Sequence, residues 1–244
     1  MVDRLFSDRD LAALYDAVCA DRPDFAFYLP LVMSARSVLD VGCGTGDLLH
    51  RARAAGHRGR LCGLDPADGM LEQARRGTDV EWILGDLSTT HWERAFDLVV
   101  MTGHAFQVLL EDEEVRGACA AVRSALTDEG RFVFETRNPA ARAWRAWTPD
   151  RAVEVADAAG DVVRVANEAD PYEGGDRVAF TTRCTSPGWD EPRLSRSTLR
   201  FLGADAVTSF LADAGLTVQE RYGDWHREPL TGTSPEIITV AARA

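Results

Sequence analysis

Ser37-Val38-Leu39-Asp40-Val41-Gly42-Cys43-Gly44-Thr45-Gly46 is the stretch on which the fold turns. Residues 37–41 form a short apolar run that ends in glycines, the signature of a strand buried on both faces. Residues 48–56 follow with helical spacing and stop at a glycine. A strand that passes through glycines into a helix lets backbone approach a ligand at the helix N-terminus. The spacing is G-x-G-x-G, at Gly42, Gly44 and Gly46. A dinucleotide fingerprint needs G-x-G-x-x-G, and Asp47 stands where its third glycine would fall. Asp40, in the strand end, opposes a pyrophosphate and favours a cation. The plainer alternative is a tight turn that holds no ligand.

Outward from this loop the chain alternates strand and helix. Residues 60–65, 80–84, 96–101 and 131–136 read as strands, and 67–76 and 112–126 as helices. Such alternation implies a parallel sheet covered on both faces. Upstream, 7–20 reads as one helix with Ser7 as its N-cap, and a second helix covers 24–33 after Pro23. Past residue 140 the rhythm changes to valines at alternate positions around an Ala-Gly-Asp turn, an antiparallel hairpin. Residues 177–185 and 194–201 add two strands, and 204–214, 216–222 and 236–242 close the chain as helix, strand, strand. One domain over 1–244 is expected, with a helical cap at 1–35 and an antiparallel insertion, or lid, at 140–202.

Composition narrows the chemistry. The 244 residues include 39 acidic and 27 basic side chains, giving a net charge of -12, and every basic residue is arginine. Without lysine there is no P-loop lysine, no Schiff base and no lysine general base. The acidic excess argues against nucleic acid as a partner. The arginine bias points to a GC-rich, bacterial genome. Five scattered cysteines without a C-x-x-C pair read as reduced thiols. Isolated histidines without HExxH give no metal site. No apolar run reaches the roughly 18 residues of a membrane span, and the charged start MVDRLFSDRD lacks a signal peptide. A cytoplasmic monomer or homodimer is expected.

Two further strand ends carry acids. Asp65 ends the second strand, where a carboxylate can accept ribose hydroxyls or cap a helix. Gly85-Asp86-Leu87 follows the third, where ordinary turn chemistry is the alternative. Together VLDVGCGTGDLL, GLDPADGMLEQAR, GDL, FDLVVM and EGRFVFET resemble class I S-adenosylmethionine-dependent methyltransferases, over about residues 28–138 and the final helix and two strands. The resemblance implies a doubly wound, Rossmann-like α/β sheet of order 3-2-1-4-5-7-6, with the lid inserted after strand 5. It implies S-adenosyl-L-methionine as cofactor. Gly42, Cys43 and Gly44 would hold its methionyl end, with Asp40 nearby and Met101 at the end of the fourth strand. Asp65 would take the ribose diol, Pro66 and Met70 would flank the adenine, and Asp86 with Leu87 would meet the adenine edge. Tyr15 and Tyr28 match aromatic positions that close over the methionine carboxylate, or they simply pack helices.

The segment after strand 4 bears on the acceptor. Met101-Thr102-Gly103-His104 departs from the Asn/Asp-Pro-Pro-Tyr of several nitrogen-modifying relatives, which disfavours adenine or glutamine-amide methylation. No Pro-Cys dipeptide occurs, and a Lys-Asp-Lys-Glu set is impossible here. A small-molecule oxygen or nitrogen is left. His104 is the catalytic candidate, since an imidazole can take a proton near neutral pH; hydrogen bonding to loop backbone is its bland alternative. Phe106, Trp144, Trp147 and Trp225 are candidates for an apolar acceptor wall. Arg137 could bind an acceptor carboxylate or phosphate. Cofactor binding with other chemistry, or a noncatalytic binding module, are the competing readings.

Overall fold

A computed structural model describes residues 2–20, 22–77 and 79–244. The N-terminal segment forms three single turns, α1 (Arg4–Ser7), α2 (Arg9–Ala12) and α3 (Tyr15–Val18), before α4 (Phe25–Ser34). One helix over 7–20, capped by Ser7, is therefore corrected. The Asp8 carboxylate accepts from the Asp10 and Leu11 amides at 3.1 and 3.3 Å and starts α2, while Ser7 Oγ turns back to donate to the Asp3 carbonyl at 3.1 Å. A short acidic side chain that satisfies local backbone donors competes with continuous helix.

The α/β alternation is as read: β1 (Ser37–Val41), α5 (Asp47–Ala54), β2 (Arg60–Asp65), α6 (Asp68–Ala74), β3 (Glu81–Leu84), β4 (Phe96–Met101), α7 (Asp112–Ala125) and β5 (Leu126–Arg137). The acidic start of α7 is a capping box, with Glu111 and Glu114 answering the first backbone donors. After β5 come β6 (Val153–Ala156), β7 (Val162–Ala169), β8 (Arg177–Thr185) and β9 (Arg193–Arg200), then α8 (Ala204–Asp213), β10 (Leu216–Tyr222) and β11 (Glu236–Arg243). The main sheet has the order β3-β2-β1-β4-β5-β11-β10. Its first five strands run parallel, and β11 and β10 close it antiparallel. This is the expected 3-2-1-4-5-7-6 order, with β10 and β11 as sixth and seventh strands. The segment between β5 and α8 forms a separate antiparallel sheet, β6-β7-β8-β9.

Each face of the main sheet is sealed by a different helix set. Leu39, Met101, Phe132 and Phe134 join Val115, Val122 and Phe210 of α7 and α8 on one side. Val38, Val100, Val133 and Val240 meet Phe27, Tyr28 and Val32 of α4 on the other. The small sheet packs Val163, Val165 and Cys184 against Leu11 and Leu14 of the N-terminal turns. Arg200 fixes it to the main body through Asp112 of α7 at 2.7 Å, and pairs within the small-sheet segment with Asp176, also at 2.7 Å.

The glycine loop is set by packing as well as by conformation. Gly46 has φ of 75°, and a Cβ there would lie 2.2 Å from the Trp82 indole, which also fills the space above Gly63. Gly46→Ala therefore combines left-handed strain with overpacking, and a loss of about 2–4 kcal/mol is expected. Denaturant unfolding measures it, and adding Trp82→Leu should recover the steric share alone.

Candidate active site

Strand register explains why the charged groups meet. Gly63, Asp40, Val100 and Val133 stand in one row across β2, β1, β4 and β5. Two residues onward, on the same face, are Asp65, Gly42, Thr102 and Glu135, at the carboxyl edge where ligands of open α/β sheets bind. The acids are thus brought together by topology and not by proximity in the chain.

At the glycine loop, Gly42 and Gly44 take φ of 72° and 57°. The Gly42 and Cys43 amides donate to the Leu64 carbonyl at 2.8 and 3.2 Å, pinning the loop to β2. Asp65 is buried and divides its carboxylate between the Gly44 amide and the Ala67 amide, each at 2.8 Å. Asp65 thus ties the glycine loop to the turn before α6 and does not cap that helix, whose N-cap is Ala67, and each carboxylate oxygen keeps a second lone pair for a hydroxyl. Asp40 is only 1% exposed, and its Oδ1 has no hydrogen-bond partner. Burial pushes its pKa up to about 7 against the pull of Arg22, with Asp65 and Glu135 adding repulsion. An orphaned buried carboxylate oxygen beside a glycine loop fits a cationic ligand group. Met70 packs 3.1 Å from where a Gly44 Cβ would stand, and Pro66 is exposed beside Asp65. Asp86 is exposed and spends Oδ1 on the Ser88 and Thr89 amides, the turn chemistry weighed for it, while Leu87 is buried in the core.

Beyond β4 a second cluster forms. Glu135 is fully buried; it accepts from the Tyr28 hydroxyl and, at 2.7 Å, from the His104 amide. Those bonds hold His104 at φ of 64°. The His104 ring places Nε2 3.0 Å from Glu236 Oε2. Burial and the Arg137 charge depress the imidazole pKa to about 3, and burial raises Glu236 to about 7. Burial thus favours the neutral imidazole at His104 and makes the facing Glu236 carboxylate more basic than an ordinary one. Arg22 pairs with Asp24 and reaches Thr102 Oγ1 at 3.4 Å. The neighbouring Thr45 donates to Asp16 of α3 at 2.5 Å, joining the loop to the N-terminal segment.

The remaining candidates separate into rim and core. Arg137 donates to Gln107 Oε1 at 3.1 Å and lies 5.4 Å from the centroid of Trp147. Trp147 also lines a cavity of about 350 Å³ with Trp144, Tyr172, Arg142 and Arg145. Trp225 leans on Phe27 and Tyr28, and Tyr15 meets Phe6 edge-on. Phe106 and Met101 are core: Phe106 is 2% exposed and stacked on Phe134 at 4.4 Å. Sequence reading passed over Arg22, Asp24, Gln107, Glu135 and Glu236. Glu135 carried one usable signal, an acid inside the apolar run RFVFET. Among the described residues no group of three or more His, Cys, Asp or Glu is arranged to hold a metal ion.

A doubly wound sheet with a glycine loop at its β1 edge, an acid after β2 and an orphaned buried carboxylate defines a nucleoside-cofactor α/β enzyme. Residues 38–130 of the chain match the family described as "Methyltransferase domain", and together with the relatives that follow this supports a class I S-adenosylmethionine-dependent methyltransferase. Along the sequence it is 28% identical over 229 residues to cypemycin N-terminal methyltransferase of a Streptomyces species, covering 86% of this chain and 84% of the relative. Among solved structures it is similar to the CcbJ methyltransferase of Streptomyces caelestis, at TM-score 0.73 and 22% identity, covering 91% of this chain and 94% of that one. It is also similar to SAM-bound CalS10, an amino pentose methyltransferase from Micromonospora echinaspora, at TM-score 0.62 and 26% identity, covering 97% and 91%. The cofactor is S-adenosylmethionine.

Because Asp40 gains its charge as pH rises through about 7, attraction for the cationic cofactor should strengthen over the same range. Calorimetry between pH 6 and 8 should show rising affinity. Asp40→Asn should weaken binding roughly tenfold, about 1.4 kcal/mol, and remove most of that pH dependence.

Proposed function

We propose that the enzyme methylates an amine nitrogen of a small-molecule acceptor. The observation that carries this reading is the neutral His104 paired with Glu236, set over a left-handed turn that Glu135 holds. An amine arrives mostly as ammonium and must shed a proton before its lone pair is available. Glu236, with its pKa raised to about 7, can take that proton, and His104 Nε2 supports the receiving carboxylate. An alcohol is a far weaker acid than an ammonium, so a carboxylate of this basicity suits nitrogen better than oxygen.

When bound, S-adenosylmethionine supplies an electrophilic methyl group on a cationic sulfur. Gly42, Cys43, Gly44 and Asp40 would hold its methionyl end, Asp65 its ribose, and Pro66, Met70, Asp86 and Leu87 its adenine. Tyr15 and Tyr28 would cover it from the N-terminal side. Glu236 would take the proton shed by the incoming ammonium. The freed lone pair would accept the methyl group while the cofactor's sulfur keeps the electron pair of the broken C–S bond, and the methylated nitrogen would leave as an ammonium. Charge disperses in this step, so exact approach and exclusion of water supply most of the rate. The cap at 1–35 and the insertion at 140–202 provide that enclosure within one domain. Trp144, Trp147 and Trp225 shape the acceptor side, and Phe106 supports it from the core.

The names of the relatives point the same way, since one is an N-terminal methyltransferase and another acts on an amino pentose. No helix of the described residues is long and apolar enough to cross a membrane. A cytoplasmic enzyme acting on a small molecule, and not on nucleic acid, is the setting we infer.

Amines offered with S-adenosylmethionine should yield S-adenosylhomocysteine and products one methyl group heavier on nitrogen. His104→Ala should lower kcat on such an acceptor by about 10²-fold while cofactor affinity stays within about twofold. Unchanged kcat in that variant would remove His104 from the mechanism, and methylation at oxygen would overturn the amine assignment.

The protonation of Glu236 sets the pH profile. Because its carboxylate is the receiving form, kcat/KM should climb as pH rises through about 7, in addition to the acceptor's own titration. Glu236→Gln should flatten that limb. A limb of the same shape in the variant would assign it to another group.

A further inference from the structure

Glu236 and Arg137 face one another in the antiparallel register of β11 and β5. Side chains so placed have Cβ atoms about 4.5–5.5 Å apart, and opposite charges there ordinarily pair. These two do not. Glu236 turns to His104, and the Arg137 guanidinium donates to the neutral amide oxygen of Gln107. Among the described residues no carboxylate oxygen stands within ion-pair distance of Arg137. Gln107 is itself held, being 1% exposed and donating through Nε2 to the Arg200 carbonyl at 2.9 Å, so its oxygen is aimed at the arginine by the small sheet.

The other charges nearby are already spent. Arg22 is taken by Asp24, and Glu135 by the Tyr28 hydroxyl and the His104 amide. Arg137 and Glu236 therefore feel each other's charge without forming a direct ion pair, and each is partly desolvated and only incompletely compensated, which is costly. A ligand that brings one of each offsets both costs.

Resting on the amine reading above, we propose that the acceptor is an amino-acid-like zwitterion, with its carboxylate on Arg137 and its amine at Glu236. A guanidinium fork matches a carboxylate in geometry. A phosphate dianion is disfavoured, because Glu135 and Glu236 lie close to the same arginine and would repel a second negative charge. The Trp147 ring, 5.4 Å from the guanidinium, gives the same arginine an apolar neighbour against which the acceptor's own side chain would lie.

The test uses the full chain with S-adenosylmethionine and the proteinogenic amino acids, each beside its primary amide and its decarboxylated amine. Mass spectrometry follows the methylated product. At least one amino acid should be methylated with kcat/KM about tenfold or more above both of its partners. Arg137→Gln should raise KM for that amino acid by about 10²-fold, leave KM for its amide within about twofold, and leave S-adenosylhomocysteine affinity unchanged. Equal turnover of acids, amides and amines would overturn the zwitterion and leave the amine reading standing. Methylation of none of the panel, together with no calorimetric binding of any amino acid to the S-adenosylhomocysteine complex, would also overturn it. Lost cofactor affinity in Arg137→Gln would give the arginine a structural role instead.

Discussion

The buried carboxylate of Glu135 is the constraint to which the site is tied. It sits on a central strand with no exposure to water and accepts from the Tyr28 hydroxyl of α4 and from the His104 amide of the loop after β4. Burial raises its pKa, and the His104 and Tyr28 contacts oppose that rise. A charge in such a position is tolerable only when its lone pairs are answered. The two donors that answer it come from α4 and from the loop after β4, so one side chain ties that helix, the sheet and that loop together. Loss of either donor would leave the carboxylate unsatisfied, which links the cap's position to the left-handed turn that presents the imidazole.

The rest of the edge follows the same economy of charge. Asp65 is divided between two amides and stiffens the glycine loop, and Asp24 neutralises Arg22. Asp40 keeps an unanswered oxygen. The acidic field is therefore uneven: satisfied carboxylates build the walls, and unsatisfied ones mark where a cation fits. Enclosing these groups strengthens each interaction, because the local dielectric is low. It also lowers the basicity of the imidazole and raises that of the facing carboxylate.

The sheet was legible in the sequence because its signals are local. SVLDV runs into Gly42, and the later strands and helices each carry a clear period; even the closing β10 and β11 stand where the family order puts them. The cap was less legible: Asp8 and Ser7 make short-range bonds that interrupt a helical pattern without changing it. The candidate site's glycine loop and its contact with Asp65 were legible because a motif marks Gly42, Gly44 and Asp65. It was not readable at Glu135, Glu236 and Gln107, whose roles depend on register between strands distant in sequence. Phe106 was legible only as an aromatic, and its burial against Phe134 came from the fold.

The small sheet has a consequence for how the acceptor side is organised. Gln107 lies in the loop after β4 yet is oriented by the Arg200 carbonyl of β9, and Arg200 reaches back to Asp112 at the start of α7. The N-terminal turns contact the same sheet through the Leu5 amide on Ser195 Oγ at 2.9 Å and Arg193 on Asp10 at 2.9 Å. Cap and insertion therefore brace each other directly, in addition to resting on the main sheet. A displacement of one would carry to the other and, through Gln107, to Arg137. Sequence variation in this insertion can then reach Arg137 through Gln107 while the glycine loop and Asp65 stay anchored to β2.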